Sequence, residues 1–320
     1  MAVSGVSDRP TVLALRALGL GDLLTAVPAL RMLGAEYPEH RLVLAAPRAL
    51  GPIAKLAGWE LEPVGELEPL PRRLHGADVG ANLHGRGPQS HRLLAAARPA
   101  RKIWFRNDQI PESRGAPVWR PGEREMTRWC RLLHESGIPG PPADLRLEPP
   151  AGPPPDRTAG ATIVHPGAAS AARRWPAERY AAVAAAEALA GRHVVVTGSP
   201  PEEPLARGIA ARAGLGADSV LAGRTDLSGL ASAVACAARV VCGDTGVAHL
   251  ATAFGTPSVL LFGPTSPAEW GPPPDSSRHR VLWRGRPGNP HADRPDPGLL
   301  EIGVEEVLEA LEALPAPARG

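Results

Sequence analysis

Lysine is almost missing from this chain: of its 35 basic residues only Lys55 and Lys102 are lysines, and the rest are arginines. Schiff-base and pyridoxal phosphate chemistry, which need a lysine amine, are left with two candidate positions. No GxxxxGK[ST] string occurs, which excludes a P-loop. The three cysteines, Cys130, Cys236 and Cys242, are odd in number and form no CxxC, which argues against a disulfide framework and a structural zinc. The 10 histidines form neither HxxxH nor HExxH, and there is no Asp-x-Asp pair, so no metal and no cofactor is expected. Excess charge is absent as well. A formal net charge of +2 offers no electrostatic footprint for nucleic acid. No run approaches the ~20 apolar residues of a membrane span. The first apolar stretch, TVLALRALGLGDLLTAVPAL, is broken by Arg16 and Asp22, unlike a secretion signal. A cytoplasmic chain is expected, with peripheral contact to a membrane surface left open.

Arginine, alanine, 35 glycines and 38 prolines make up for these absences. All four residue types have GC-rich codons, so a single arginine carries little functional weight here. With 43% hydrophobic and 21% charged residues, the composition is globular. At roughly 150 residues per domain, 320 residues predict two domains.

Short apolar runs bounded by turn residues read as buried strands at 11–16 (TVLALR) and 41–47 (RLVLAAP), with further candidates within 75–85 and 101–105. Between the first two, Leu23, Val27 and Leu30 recur at helical spacing, with Asp22 as a candidate N-cap. Residues 139–156 carry Pro139, Pro141, Pro142, Pro149, Pro150, Pro153, Pro154 and Pro155, a density that no helix or central strand survives. They read as a linker between domains 1–150 and 151–320. The pattern then restarts: strands at 161–167, 193–199, 219–223, 239–244 and 258–263, and helices at 177–190, 203–213, 226–237, 247–254 and 304–314. Gly255, followed by Pro257, stops the helix at 247–254. Cys242 falls in the buried strand Arg239-Val-Val-Cys-Gly and reads as a small core hydrophobe. Strands alternating with helices predict a parallel α/β sheet in each half, two Rossmann-like units facing across a cleft.

Three loops carry chemistry. In GDTGVAHLATAFGTPSVLLFGPT (243–265), a strand turns directly into a helix at Asp244-Thr245-Gly246. The free amides and dipole of a helix start form an anion site, contributing about 0.3–1 kcal/mol per nearby charge. The plainer alternative is that Asp244 only caps the helix. His249, on the same helix, either faces a phosphate or packs in the core. In the second loop, His165-Pro-Gly167 leads to Arg173 and Arg174 just before Trp175-Pro176, with Pro176 suited to the first helical position. One arginine in the cleft would neutralise a diphosphate; the alternative is a solvated pair. The third loop, Gly19-Leu20-Gly21-Asp22, fails as a dinucleotide fingerprint. Leu24 stands at the third glycine position, and Asp22 puts a negative charge where a pyrophosphate would sit. A carboxylate at a helix start, directed into a cleft, suits a general base; the alternative is a cap worth about 1 kcal/mol.

Together these segments resemble glycosyltransferase family 9, the heptosyltransferase family. The resemblance rests on GLGDLLTAVPALRML (19–33), NLHGRGPQSHRLL (82–94), HPG…RRWPAERY (165–180), VVVTGSPPEE (194–203) and the run from Gly243 to Thr265, and covers residues 11 to 270. It implies a GT-B fold, with the acceptor on domain 1–150 and the nucleotide-sugar donor on domain 151–320, and leaves open whether the C-terminal helix packs back on the first domain. It implies metal-independent, inverting transfer from a donor, typically ADP-heptose, to a glycan or glycolipid acceptor, by a monomer. By the same resemblance Asp22 is the general base. Arg173 stands where the family has a lysine contacting donor phosphate and sugar. Glu202 binds the donor ribose, Thr225 lines the adenine pocket, and Asp244 holds sugar hydroxyls. Thr245 and Gly246 take the diphosphate, with His249 beside them. The threonines that follow the histidine in some relatives are replaced by Gly167 and Ala168, so backbone amides or Ser170 would substitute. Two other readings share these features: a GT-B-like sugar-nucleotide epimerase or hydrolase, and a non-catalytic nucleotide-sugar binding protein. The roles of His84, Arg86 and Gln89 are left unassigned.

Overall fold

A computed structural model describes residues 9–141 and 144–316; Pro142 of the proline-dense segment lies outside them. The chain divides into two compact units, Met1–Leu145 and Arg146–Gly320. Among the described residues, no helix or strand occurs between the last helix of the first unit and the first strand of the second. No helix among them is long and apolar enough to cross a membrane.

The first unit contains strands β1 (Thr11–Leu15), β2 (Arg41–Ala46), β3 (Glu60–Pro63), β4 (Val79–Asn82) and β5 (Arg101–Ile103). Its helices are α1 (Leu20–Glu36), α2 (Gly51–Leu56), α3 (Gln89–Ala96) and α4 (Glu125–Glu135). All strand pairs are parallel, in the order β3-β2-β1-β4-β5. Strands of a parallel sheet are covered on both faces, which is why the central runs are apolar throughout. The edge strand β3, with Glu60 and Pro63, lacks that signature and is not legible in the sequence. Leu13, Leu15, Val43, Ala45 and Trp104 build the core, each fully buried side chain of Leu or Val size contributing roughly 1.5–3 kcal/mol.

The second unit contains β6 (Thr162–His165), β7 (Val194–Val196), β8 (Arg239–Gly243), β9 (Ser258–Leu261) and β10 (His279–Leu282), parallel in the order β10-β9-β8-β6-β7. Its helices are α5 (Ala177–Leu189), α6 (Glu203–Arg212), α7 (Leu227–Cys236), α8 (Gly246–Phe254), α9 (Pro267–Trp270), α10 (Pro297–Leu300) and α11 (Val304–Glu312). The strand expected at 219–223 shrinks to one parallel bridge, Val220 to Val196. A 3-10 turn at Ala217–Ser219 precedes it, and Gly223 turns left-handed (φ 73°) just after it, so the run has no room to extend. Counting that bridge, the order in chain sequence is 3-2-1-4-5-6, the dinucleotide-fold order. Helix α11 packs into the second unit's own core through Val307 and Leu311, beside Val259 and Leu261. Gly255 ends α8 in the left-handed region (φ 67°), as the sequence predicts.

Candidate active site

In sheets of this topology, ligands bind at the carboxyl ends of strands where the strand order reverses. In the first unit that point lies between β1 and β4, whose ends Leu15 and Asn82 stand side by side in register. Asp22 lies here, in the first turn of α1. It is not the N-cap: Gly19 holds that position in extended backbone (φ −75°), and no side chain caps the helix. The Asp22 side chain is 31% exposed and is held by Arg16, whose own side chain is 1% exposed. Arg16 Nε donates to the Asp22 carbonyl (2.9 Å), and Nη2 lies 3.4 Å from Asp22 Oδ1 and 3.3 Å from Thr25 Oγ1. Its Nη1 donates to the Leu83 carbonyl, on the far side of the switch point. Glu125 Oε2 is 3.8 Å away, and the guanidinium lies over Trp129, 4.6 Å from the ring centroid. Burial pulls the Arg16 pKa down to about 10, with Asp22 opposing, so the group stays charged at neutral pH.

The general discount on arginines therefore fails at Arg16. A usable signal was present: a charge closing a buried apolar strand, six positions before the Gly-x-Gly-Asp carboxylate. Of the three unassigned residues, His84 sits just past β4 at this same point. Arg86 lines an open groove of about 500 Å³ with Arg106, Asn107, Gln109 and Trp119. Gln89 opens α3 and is exposed.

In the second unit the switch point lies between β6 and β8, where His165 and Cys242 are in register. Asp244 leaves β8 and is buried. It does not cap α8, since Thr245 occupies the N-cap position. Instead Asp244 Oδ2 accepts from the Thr265 hydroxyl and lies 3.8 Å from Arg173 Nη1, while Arg173 Nη1 also donates to the Asp244 carbonyl (3.3 Å). Thr265 was not singled out in the sequence; its place one loop over, after β9, is visible only once the strands are ordered. Gly243 lets this loop close: a Cβ there would lie 3.0 Å from the Arg173 carbonyl. Arg173 Nε is buried with no hydrogen-bond partner. Helix α8 starts without a side-chain cap, so its first amides, at Gly246 and Val247, stay available. The Thr245 hydroxyl is buried, faces the Cys242 thiol and makes no hydrogen bond within ordinary limits.

Other expected site residues sit on the same carboxyl edge with different partners. Glu202 Oε2 accepts from the Ser199 amide and hydroxyl (2.8 and 2.7 Å) as half of a capping box, while the carboxyl group lies against Gly167, where a Cβ would collide with it. Thr225 stands just ahead of Asp226, the cap of α7. His249 is buried, edge-on to Trp270 with 6.4 Å between ring centroids. Arg174 donates to the Ala168 carbonyl (3.0 and 2.9 Å) and so braces the loop. The Ser170 hydroxyl is engaged with the Pro290 carbonyl, and the amides of Ala172, Arg173 and Arg174 are bonded to other carbonyls. Pro176 takes the N-cap position of α5 and not the first helical one. Cys242 is fully buried on β8, and burial raises its thiol pKa. Among the described residues, no three His, Cys, Asp or Glu side chains gather into a possible metal site.

Two buried histidines of this unit make stability pH-dependent. His165 bonds Thr197 Oγ1 (3.0 Å) and His279 bonds Ser258 Oγ (2.8 Å). Burial pushes both pKa values down to about 4, with Arg278 adding to the effect at His279 and Glu202 opposing it at His165. Between the unfolded value of about 6.5 and about 4, the unfolded chain binds more protons than the folded one. Thermal unfolding is therefore expected to shift to lower temperature as pH falls through that window. A midpoint constant across it would contradict the assignment.

Two Rossmann-like parallel sheets with these carboxyl-edge sites define a GT-B glycosyltransferase fold. Residues 121–298 match glycosyltransferase family 9 (heptosyltransferase), and the chain belongs to that family. It is 38% identical over 153 residues to lipooligosaccharide heptosyltransferase 2 of Haemophilus influenzae; the match covers 45% of this chain and 43% of that protein, less than half of the relative's length. Its fold matches the structure of Escherichia coli ADP-heptose LPS heptosyltransferase II with a TM-score of 0.75 and 21% identity, over 95% of this chain and 98% of that one. It also matches the E. coli heptosyltransferase WaaC with ADP-2-deoxy-2-fluoro heptose, with a TM-score of 0.71 and 20% identity, over 94% of this chain and 99% of that one.

Proposed function

We propose that the protein is an inverting, metal-independent heptosyltransferase that moves heptose from an ADP-heptose donor to a hydroxyl of a lipopolysaccharide-type glycan. The observation that carries this reading is the Arg173–Asp244–Thr265 cluster at the uncapped start of α8. Negative charge grows on the departing diphosphate. The Arg173 guanidinium, with its unpartnered Nε, and the α8 amides supply fixed positive potential there, the place a divalent cation takes in other designs. Asp244, held by Thr265, offers a carboxylate to sugar hydroxyls. Glu202 and Thr225, on neighbouring loops of the same edge, fit the ribose and base of the donor. On the first unit, Asp22 takes the proton of the attacking hydroxyl, with Arg16 holding one carboxylate oxygen and leaving the other to the acceptor. The relatives named above supply the donor and acceptor classes.

Thermal shift against ADP-, GDP- and UDP-sugars tests the donor. An ADP-sugar at 100 times its Kd is expected to stabilise the fold by about 2.7 kcal/mol. Arg173→Met is expected to weaken that binding roughly 10–100-fold, the loss of a charge-assisted contact. Stabilisation by UDP-sugars alone overturns the ADP-heptose reading. Donor turnover with no glycosylated product points to a hydrolase or epimerase instead.

A further inference from the structure

The segment Asn82–Ser90 has no part in the proposed reaction, yet it is held more firmly than a surface loop requires. Asn82, at the end of β4, is fully buried. Its Oδ1 accepts from the His84 amide (3.0 Å), and its Nδ2 donates to Ser90 Oγ (3.0 Å) and His91 Nδ1 (2.9 Å). His91 is locked in turn: Nε2 donates to the Phe105 carbonyl (2.7 Å), and the ring stacks on Trp104 at 5.0 Å. From the other side, Arg16 bonds the Leu83 carbonyl, the residue before His84, with the same guanidinium that holds Asp22. One loop is thus pinned from both sides, and the residue presented at its bend is His84.

The His84 ring is half-buried and within the electrostatic reach of Arg16, Glu66 and Asp22. Its Nδ1 is enclosed and has no hydrogen-bond partner. Burial, reinforced by Arg16, lowers its pKa, so the ring is neutral at neutral pH and can donate from one nitrogen and accept at the other. Gly85, next in the chain, leaves open space, since a Cβ there would meet nothing within 4 Å. A half-buried ring with an unsatisfied Nδ1, on a loop that Arg16 ties to a partly exposed carboxylate, is arranged to take a partner from a ligand.

Resting on the reading of Asp22 as the base, we propose that His84 is a second acceptor-binding residue of that site, hydrogen-bonding a hydroxyl next to the one Asp22 deprotonates. The class of ligand is a vicinal diol of a saccharide, and the effect is to choose which hydroxyl is glycosylated. The test uses the full chain with ADP-heptose and, as acceptor, truncated lipopolysaccharide lacking heptose. His84→Leu keeps the bulk and removes the hydrogen bond; His84→Gln keeps a donor and an acceptor. His84→Leu is expected to lower kcat/KM for the acceptor roughly 10–100-fold, the range of a lost hydrogen bond with a desolvated partner. Donor affinity should be unchanged, and His84→Gln should recover most of the loss. Should His84→Leu fail to fold, His84→Ala carries the same comparison. Wild-type acceptor kinetics in the apolar variant, or equal loss in both variants, overturns the proposal. Transfer lost in Asp22→Asn but intact in His84→Leu keeps the base and discards His84. Full turnover in Asp22→Asn, or a wild type inactive on this acceptor, removes the underlying reading itself.

Discussion

Asp22→Asn is expected to reduce glycosyl transfer by ~10²–10⁴ while leaving donor affinity at the wild-type value, the usual effect of removing a positioned general base. The substitution is nearly isosteric, and Asp22 does not cap α1, so the helix should keep its start at Gly19. The cluster of Arg173, Asp244 and Thr265 belongs to the other unit and does not include the altered side chain. Initial rates at saturating donor, with donor Kd from calorimetry, separate the two effects. Turnover near the wild-type level would make Asp22 an ordinary first-turn residue and leave the reaction without its base. Loss of donor affinity would show instead that the substitution had reached beyond acceptor activation.

Arg16→Met is expected to destabilise the fold by about 3–5 kcal/mol, the range for removing one partner of a buried ion pair. Arg16 is the counter-charge for Asp22 and a further partner for Glu125, and it satisfies the Leu83 carbonyl. Methionine fills similar volume but leaves those acceptors without it. Glu125 retains Arg128 and the Trp129 indole, so the loss should centre on Asp22 and Leu83. Arg16→Lys should fall between the two. A single ammonium keeps the charge but lacks the planar fork that reaches Leu83, Asp22 and Thr25 together. Urea denaturation monitored on the tryptophans measures the series. A Met variant within about 1 kcal/mol of wild type, the size of an exposed pair, would show that Arg16 is not the organising charge of this site.

Local information in the sequence is enough for much of the scaffold. The runs at 11–16, 41–47 and 239–244 are apolar in their interiors, with charges only at their ends, because a parallel strand is covered on both faces, and each folds as a strand. Gly255 stops α8 because only its backbone enters the left-handed region without strain. Edge elements are less legible: β3 carries Glu60, Glu62 and Pro63, and the expected strand at 219–223 is cut to Val220 by its flanking turns. The site is legible in its carboxylates and glycines but not in its partnerships. For Asp22 and Asp244 the sequence leaves a plain cap open beside a functional role, and neither residue caps its helix.

Family, fold class and the residue types at each strand end were therefore determined by the sequence, since periodicity, turn chemistry and short motifs are properties of adjacent positions. Tertiary structure alone decided that Arg16 joins Asp22 to Leu83, that Arg173, Asp244 and Thr265 converge, and that His249 lies edge-on to Trp270. Arg16 and Leu83, like Arg173, Asp244 and Thr265, lie past strand ends that are far apart in the chain. The order of strands in each sheet, set by how the intervening helices cover it, brings them within reach of one another.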